Sequence, residues 1–321
     1  MVGKVATIAG NAFRETVRQP VYCILLGAAA VVIALSPAFS MFTLMESVKL
    51  VQDMGLSTIL LAGLFLAVLS ASTVVTEEIR GRTALMVIAR PVGRGEFVLG
   101  KFLGLLLAQA VAAYLLSIIL VLTVRVGVPE AASSQIDTTV IWCEIGVAVV
   151  AIALGLGANY FFDKPFPSAA ISAAFVLFTL TFLVLAFFDR DTKPAAFLSA
   201  MDMNTFRSCV VLFPMLAILT AAAVACATRL SLLLSVLACT VFFILGILSE
   251  YLFGRLAEKS YVAAVPYTLL PSFQVFWMGD ALSADKVIPW PYVGSAIGYG
   301  ALYAAALLFL GMLLFERREI S

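Results

Sequence analysis

The sequence predicts an all-α polytopic membrane protein: about eight transmembrane helices, an N-terminal amphipathic interfacial helix, and a cytoplasmic helix between the second and third spans. Three observations lead there. Of 321 residues, 63% are hydrophobic and 12% charged, against roughly 45–50% and 25% in soluble domains. The mean hydropathy is +1.10. Apolar runs of about 20 residues, the length that crosses a 30 Å hydrocarbon core as helix, recur with short polar breaks between them. The whole chain, 1–321, reads as one transmembrane domain with no room for a large soluble one.

Each element follows from its local pattern. Residues 1–19 are too polar for a signal peptide's apolar core, but Val5, Ile8, Ala9, Ala12, Phe13 and Val17 recur at helical spacing. That stripe predicts a helix lying in the membrane surface. Pro20 marks the boundary before a first span over about Val21–Met41, and a second runs about Gly55–Val75. The most charged stretch follows, from Glu77 through Arg94, Glu96 and Lys101, and apolar sequence resumes to about Val124 as the third span. Arg125–Asp137 is a polar connection before a fourth span at about Thr139–Phe161. Asp163-Lys164-Pro165-Phe166-Pro167 breaks the helix, because proline lacks a donor and restricts its predecessor. A fifth span covers about Ala169–Phe187. The apolar block Cys209–Phe253 is too long for one crossing, and Thr228-Arg229 divides it into the sixth and seventh spans. Residues 254–290 form a long, aromatic extracytoplasmic connection, and the last span is about Tyr292–Phe315.

An even number of spans puts both termini on one side. Twelve of the 20 Lys and Arg residues, including Lys4, Arg14, Arg18, Arg80, Arg82, Arg90 and Arg94, then fall on the terminal side, and eight on the other. The positive-inside rule makes that side the cytoplasm, with the chain multi-pass in the cytoplasmic (inner) membrane.

Composition also narrows the chemistry. Net charge is +1, which gives no electrostatic footprint for nucleic acid. The chain has no histidine, which removes the commonest general base and metal ligand. The five cysteines lie in apolar stretches without metal-ligand spacing and read as small hydrophobes. No catalytic residue, cofactor site or metal site is expected. Residues 95–101 match a phosphate-binding Gly-x-x-x-x-Gly-Lys loop, but Phe102 stands where the magnesium-binding Ser or Thr is needed. ATP binding by this chain is therefore not expected. Glu144 is the one charge clearly inside a predicted span, about a turn and a half from its outer end. It is a candidate pathway residue; the alternative is an interfacial carboxylate that reaches water or an outer-loop arginine. Gln109, Tyr114 and Asn159 are candidates for hydrogen bonds between helices, and Gly100/Gly104 and Gly294/Gly298 allow close helix approach.

Glu77–Arg90 is compatible with a helix, acidic in its first turn and basic at its end, with Pro91 and Gly93 stopping it. A short cytoplasmic helix between two spans suits docking of another protein. Glu77-Glu78-Ile79-Arg80-Gly81-Arg82-Thr83, Ala89-Arg90-Pro91-Val92-Gly93-Arg94 and Leu99-Gly100-Lys101 together resemble the ABC-2-type permeases, the membrane subunits of ATP-driven exporters. Two details depart from that pattern: Arg82 lies between Gly81 and Thr83, and Gly93 stands where serine is common. Leu270-Pro271-Ser272-Phe273, Ile288-Pro289-Trp290-Pro291-Tyr292-Val293 and Phe315-Glu316-Arg317-Arg318 resemble the branch grouped with multicopper-enzyme and nitrous-oxide-reductase maturation.

The resemblance implies a permease subunit with a separate ABC ATPase that binds ATP, and a homodimer or heterodimer with a related permease. It assigns 77–95 as the coupling segment, with Glu77, Glu78, Arg80, Arg82, Thr83 and Arg90 as ATPase-docking residues. The family usually has six spans, so two more, at about Cys209–Phe253, are a departure. The substrate is not named by the residues, and the lack of histidine speaks against copper export. The competing expectation is a membrane scaffold or assembly factor that transports nothing.

Overall fold

The centre of the bundle combines large aliphatics such as Leu212, Leu216 and Ile218 with small residues such as Thr220 and Ala221. The computed structural model describes residues 2–40, 47–76, 93–127, 136–190, 193–254, 270–284 and 286–316. Among them the chain is all-α. Helix α1 spans Val2–Arg18, α2 Pro20–Ser40, α3 Ser47–Ala71, α4 Arg94–Val126 and α5 Thr138–Phe162. Then come α6 Phe166–Leu185, α7 Met203–Ala227, α8 Leu232–Ser249, the short α9 Gly279–Ser283 and α10 Trp290–Glu316. Wide π turns extend α3 over Ser72–Thr76 and α8 over Glu250–Gly254. Eight of these helices (all but α1 and α9) are long and apolar enough to cross a membrane, as the apolar runs predict.

The eight are not equivalent. In the spans built on α7, α3 and α4, 83%, 72% and 72% of the most apolar stretch is buried, against 22–28% in the other five. Helix α7 is the axis, packed against α3, α4, α8 and α10. Its inner length is rich in alanine: Ala221, Ala223 and Ala227 are essentially inaccessible, and the Thr220 hydroxyl bonds back to the Leu216 carbonyl at 2.7 Å. Small side chains let backbones approach in lipid, where dispersion rather than water exclusion drives helix association. Gly300 of α10 illustrates this, since a methyl group there would overlap Pro214 of α7.

Helices α5 and α6 form a hairpin against α4, while α8 packs on α3 and α7, and α10 on α7 and α4. The hairpin turns at Asp163, which takes a left-handed conformation at the end of α5 (φ 51°). Asn159 Nδ2 donates to the Lys164 carbonyl at 2.8 Å, so Asn159 closes this turn locally rather than bridging helices as expected. Exposed aromatics gather near helix ends. Trp142, Tyr251 and Trp290 lie at one side of the bundle, and Tyr160, Phe161 and Phe162 at the other. That distribution suits the two interfaces of a bilayer.

The connection before α10 contains a tight helical turn, Phe273–Phe276, as well as α9. Phe273 is buried against Phe242 and Phe243 of α8, with ring centroids at 5.7 and 6.3 Å. Tyr292 Oη donates to the Val275 carbonyl at 2.7 Å and fixes the turn to the start of α10.

Candidate functional site

Two regions bear on the expected function. The first is the ground around 77–95. Glu77, Glu78, Arg80, Arg82, Thr83 and Arg90 lie outside the described residues, but both flanks are described. On one side α3 ends in the π turn Ser72–Thr76. On the other, Gly93 precedes α4, and the Glu96 carboxylate accepts the Gly93 N–H at 3.2 Å, capping the helix start. Residues 95–102, the stretch matching a phosphate loop, are all in helix α4. In a phosphate loop the glycine-rich stretch precedes the helix as a nest of N–H groups. Here it is wound into the helix, whose N–H groups beyond the first turn pair internally.

Helix α1 holds both flanks. Its apolar stripe meets protein: Ala9, Ala12 and Val17 are buried, and the helix lies along the first turns of α4. The Gly100/Gly104 spacing makes the contact possible, because a methyl group at Gly100 would overlap Ile8 and one at Gly104 would overlap Ala12. Between the two glycines Lys101, with a side chain 4% exposed, reaches Glu15 of α1 at 3.5 Å. Just beyond α1, Gln19 Nε2 donates to Thr73 Oγ1 in the π turn at 2.8 Å. Lys101, expected where the third span opens, is thus a buried helical residue. The second pair of glycines differs, since nothing packs within 4 Å of the space beside Gly294 or Gly298.

The second region surrounds Glu144 on α5. The residue is 8% exposed, which removes the reading of an interfacial carboxylate in open contact with water. Thr123 Oγ1 lies 3.3 Å from Glu144 Oε1 and 2.8 Å from the Ile119 carbonyl oxygen. One hydroxyl proton serves two acceptors, and the helix carbonyl is the closer. The outer arginine that sequence position would offer, Arg125, is engaged elsewhere. Its Nε donates to Asp137 Oδ2 at 3.1 Å, Nη1 to the Leu185 carbonyl at 2.6 Å, and Nη2 to the Asp189 carbonyl at 3.1 Å. Both side chains of the Arg125–Asp137 pair are 1% exposed.

Glu144 lines a cavity of about 530 Å³ between α2, α4, α5 and α6, whose other walls include Val31, Leu35, Ile141, Ile145 and Phe178. A second cavity of about 220 Å³ shares Ala30, Val31, Ile119, Ala148, Ile152 and Phe178 with the first and continues the same seam to Cys23. A third, apolar cavity of about 600 Å³ lies between α4, α7 and α10, with Tyr114, Ser117 and Cys209 among its lining. Tyr114 Oη is 3.0 Å from Thr179 Oγ1 of α6, the interhelical bond expected of it. Gln109 is buried, and among the described residues its Nε2 has no hydrogen-bond partner.

Sequence reasoning missed three polar clusters. Besides Arg125–Asp137, Gln52 Nε2 donates to Asp202 Oδ2 at 2.8 Å and Thr205 Oγ1 at 2.9 Å, tying α3 to the start of α7. Arg229 Nε donates to the Leu314 carbonyl at 2.8 Å, tying the α7–α8 turn to the end of α10. The legible signal for the first was an Arg ending one apolar run and an Asp opening the next.

The fold and its buried polar contacts define an all-α, multi-pass membrane protein. No protein-family model matches this chain, and no curated protein matches it either.

Proposed function

We propose that the chain is the membrane-spanning permease subunit of an ATP-driven ABC exporter, with ATP bound and hydrolysed by a separate ATPase subunit. The observation that carries this reading is where the charged segment is inserted. Residues 77–92 join α3 to α4, two of the three most deeply buried spans. A partner pushing on such a segment acts on the centre of the bundle rather than on a peripheral helix. Helix α1 adds leverage by gripping the α4 start and the α3 end together. The family-like residues Glu77, Glu78, Arg80, Arg82, Thr83 and Arg90 then dock in the ATPase groove, and Glu144 lies on the pathway.

For ATP to drive movement, it must bind the two conformations of the assembly with different affinity. Two permease copies, or one copy and a related permease, supply two docking segments for two ATPase subunits. The site lies in the cytoplasmic (inner) membrane with both termini in the cytoplasm, the side favoured by the Lys and Arg distribution.

The test is recovery of the tagged, full-length protein from its own membranes in mild detergent. A stoichiometric P-loop ATPase is expected to accompany it, and Arg82→Glu and Arg90→Glu are expected to lose that companion while inserting normally. Unchanged association of both variants would remove 77–95 as the contact. A chain that emerges alone under several mild conditions would favour a scaffold that transports nothing.

A further inference from the structure

We propose that the cavity around Glu144 is a binding site for a hydrophobic organic cation, entered sideways from the lipid. The binding claim stands on the geometry of the cavity; its use as the transported substrate's site rests on the exporter reading above.

The cavity's size, about 530 Å³, suits a small molecule rather than a few waters. Among the described residues its walls are aliphatic and aromatic, with no Lys or Arg, and Glu144 is the one charged residue. The mouth faces outward between α2 and α5: Val31, Leu35, Ile145 and Val149 are all at least half exposed on the lipid-facing surface of the bundle. A molecule dissolved in the bilayer reaches this opening without crossing water.

The charge selects the ligand. An ionised carboxylate held in apolar surroundings is costly unless a cation or several donors compensate it. Thr123 offers only a shared hydroxyl at 3.3 Å, and the guanidinium of Arg125 is turned to Asp137 and two carbonyls. Neither an anion nor a purely apolar guest gains from the carboxylate form, which only a cation stabilises. A cation wrapped in apolar groups satisfies both features, with its charge beside Glu144 and its body against Ile141, Ile145 and Phe178. The adjoining cavity toward Cys23 continues the same apolar seam across the bundle, giving such a guest somewhere to go.

The test uses the purified full-length chain in nanodiscs of zwitterionic phospholipid, with radiolabelled tetraphenylphosphonium as probe and tetraphenylsilane as its uncharged isostere. Saturable binding of the cation is expected, with little competition from the silane. Glu144→Gln, nearly isosteric, is expected to weaken binding by at least about thirtyfold, the low end for losing one partner of a buried charge pair. Ala148→Phe keeps the carboxyl but fills the cavity, and is expected to abolish binding; it carries the test should Glu144→Gln fail to fold. Equal binding by Glu144→Gln and the parent overturns the proposal. Equal competition by the silane does so too, and makes the cavity a seat for lipid tails. Absence of saturable binding, as when a second copy of the chain fills the cavity, also overturns it. The assay needs no ATPase, so its outcome is independent of whether one accompanies the protein. Binding without an ATPase companion would leave the site standing and the exporter reading fallen; the reverse result would do the opposite.

Discussion

Arg125 satisfies its guanidinium in three directions, and each contact ties a different piece of chain to the end of α4. Asp137 opens α5, and the Leu185 and Asp189 carbonyls belong to the end of α6 and the turn after it. Removing one partner of a buried pair typically costs about 3–5 kcal/mol, because the other charge is left uncompensated. Arg125→Ala is therefore expected to lower the thermal midpoint of the detergent-solubilised protein sharply. Arg125→Lys should recover only part of the loss, since an ammonium has no planar fork to span carboxylate and carbonyls. Equal midpoints for Arg125→Ala and the parent would mean that the pair is solvated and contributes nothing. Such residues were the hardest to read from sequence. A charge at the end of an apolar run looks the same whether it reaches water or turns back into protein, so Arg125 passed for a loop cation.

At the scale of elements, the eight apolar runs were legible, because the bilayer fixes the length of a helix that must satisfy its own backbone. Their starts were less so, since α3 begins at Ser47 rather than Gly55 and α7 at Met203 rather than Cys209. The docking of α1 was not legible. An amphipathic stripe predicts an apolar partner without saying whether it is lipid or protein, and here Gly100 and Gly104 of α4 decide for protein. Gly104→Leu is expected to unseat α1, since its side chain would collide with Ala12 and the Ala9 carbonyl. The readout is a cysteine at Thr16, which is 1% exposed in the intact fold. It should resist a membrane-impermeant maleimide in the parent and react in the Gly104→Leu background. Equal protection in both would show that α1 stays seated without the close approach. The Glu144 carboxyl was legible as a charge within a span, but the cavity it lines was not, because that cavity is made by four helices distant in sequence.

At the scale of the whole molecule, the order of burial follows neither hydropathy nor position in the chain. The spans all have a mean hydropathy between 2.0 and 2.6, yet α7 lies at the centre and α8, slightly more apolar, at the edge. Lipid tails and protein interiors are equally apolar, so hydropathy alone does not separate them. Enlarging Ala221, fully buried in α7, to Leu is expected to destabilise by about 1–3 kcal/mol through overpacking. Val241→Ala, on the exposed face of α8, should leave the unfolding midpoint nearly unchanged. Comparable losses from both would mean that α8 is covered in the assembled protein. The reach of Arg125 also has a consequence for synthesis. Its last acceptor lies 64 residues further along the chain. A nascent chain that has threaded only α4 into the membrane carries a guanidinium without its partners, and the debt is discharged only when the α5–α6 hairpin has arrived. Until then that end of α4 has no protein acceptor for its charge, and completion of the hairpin buries it.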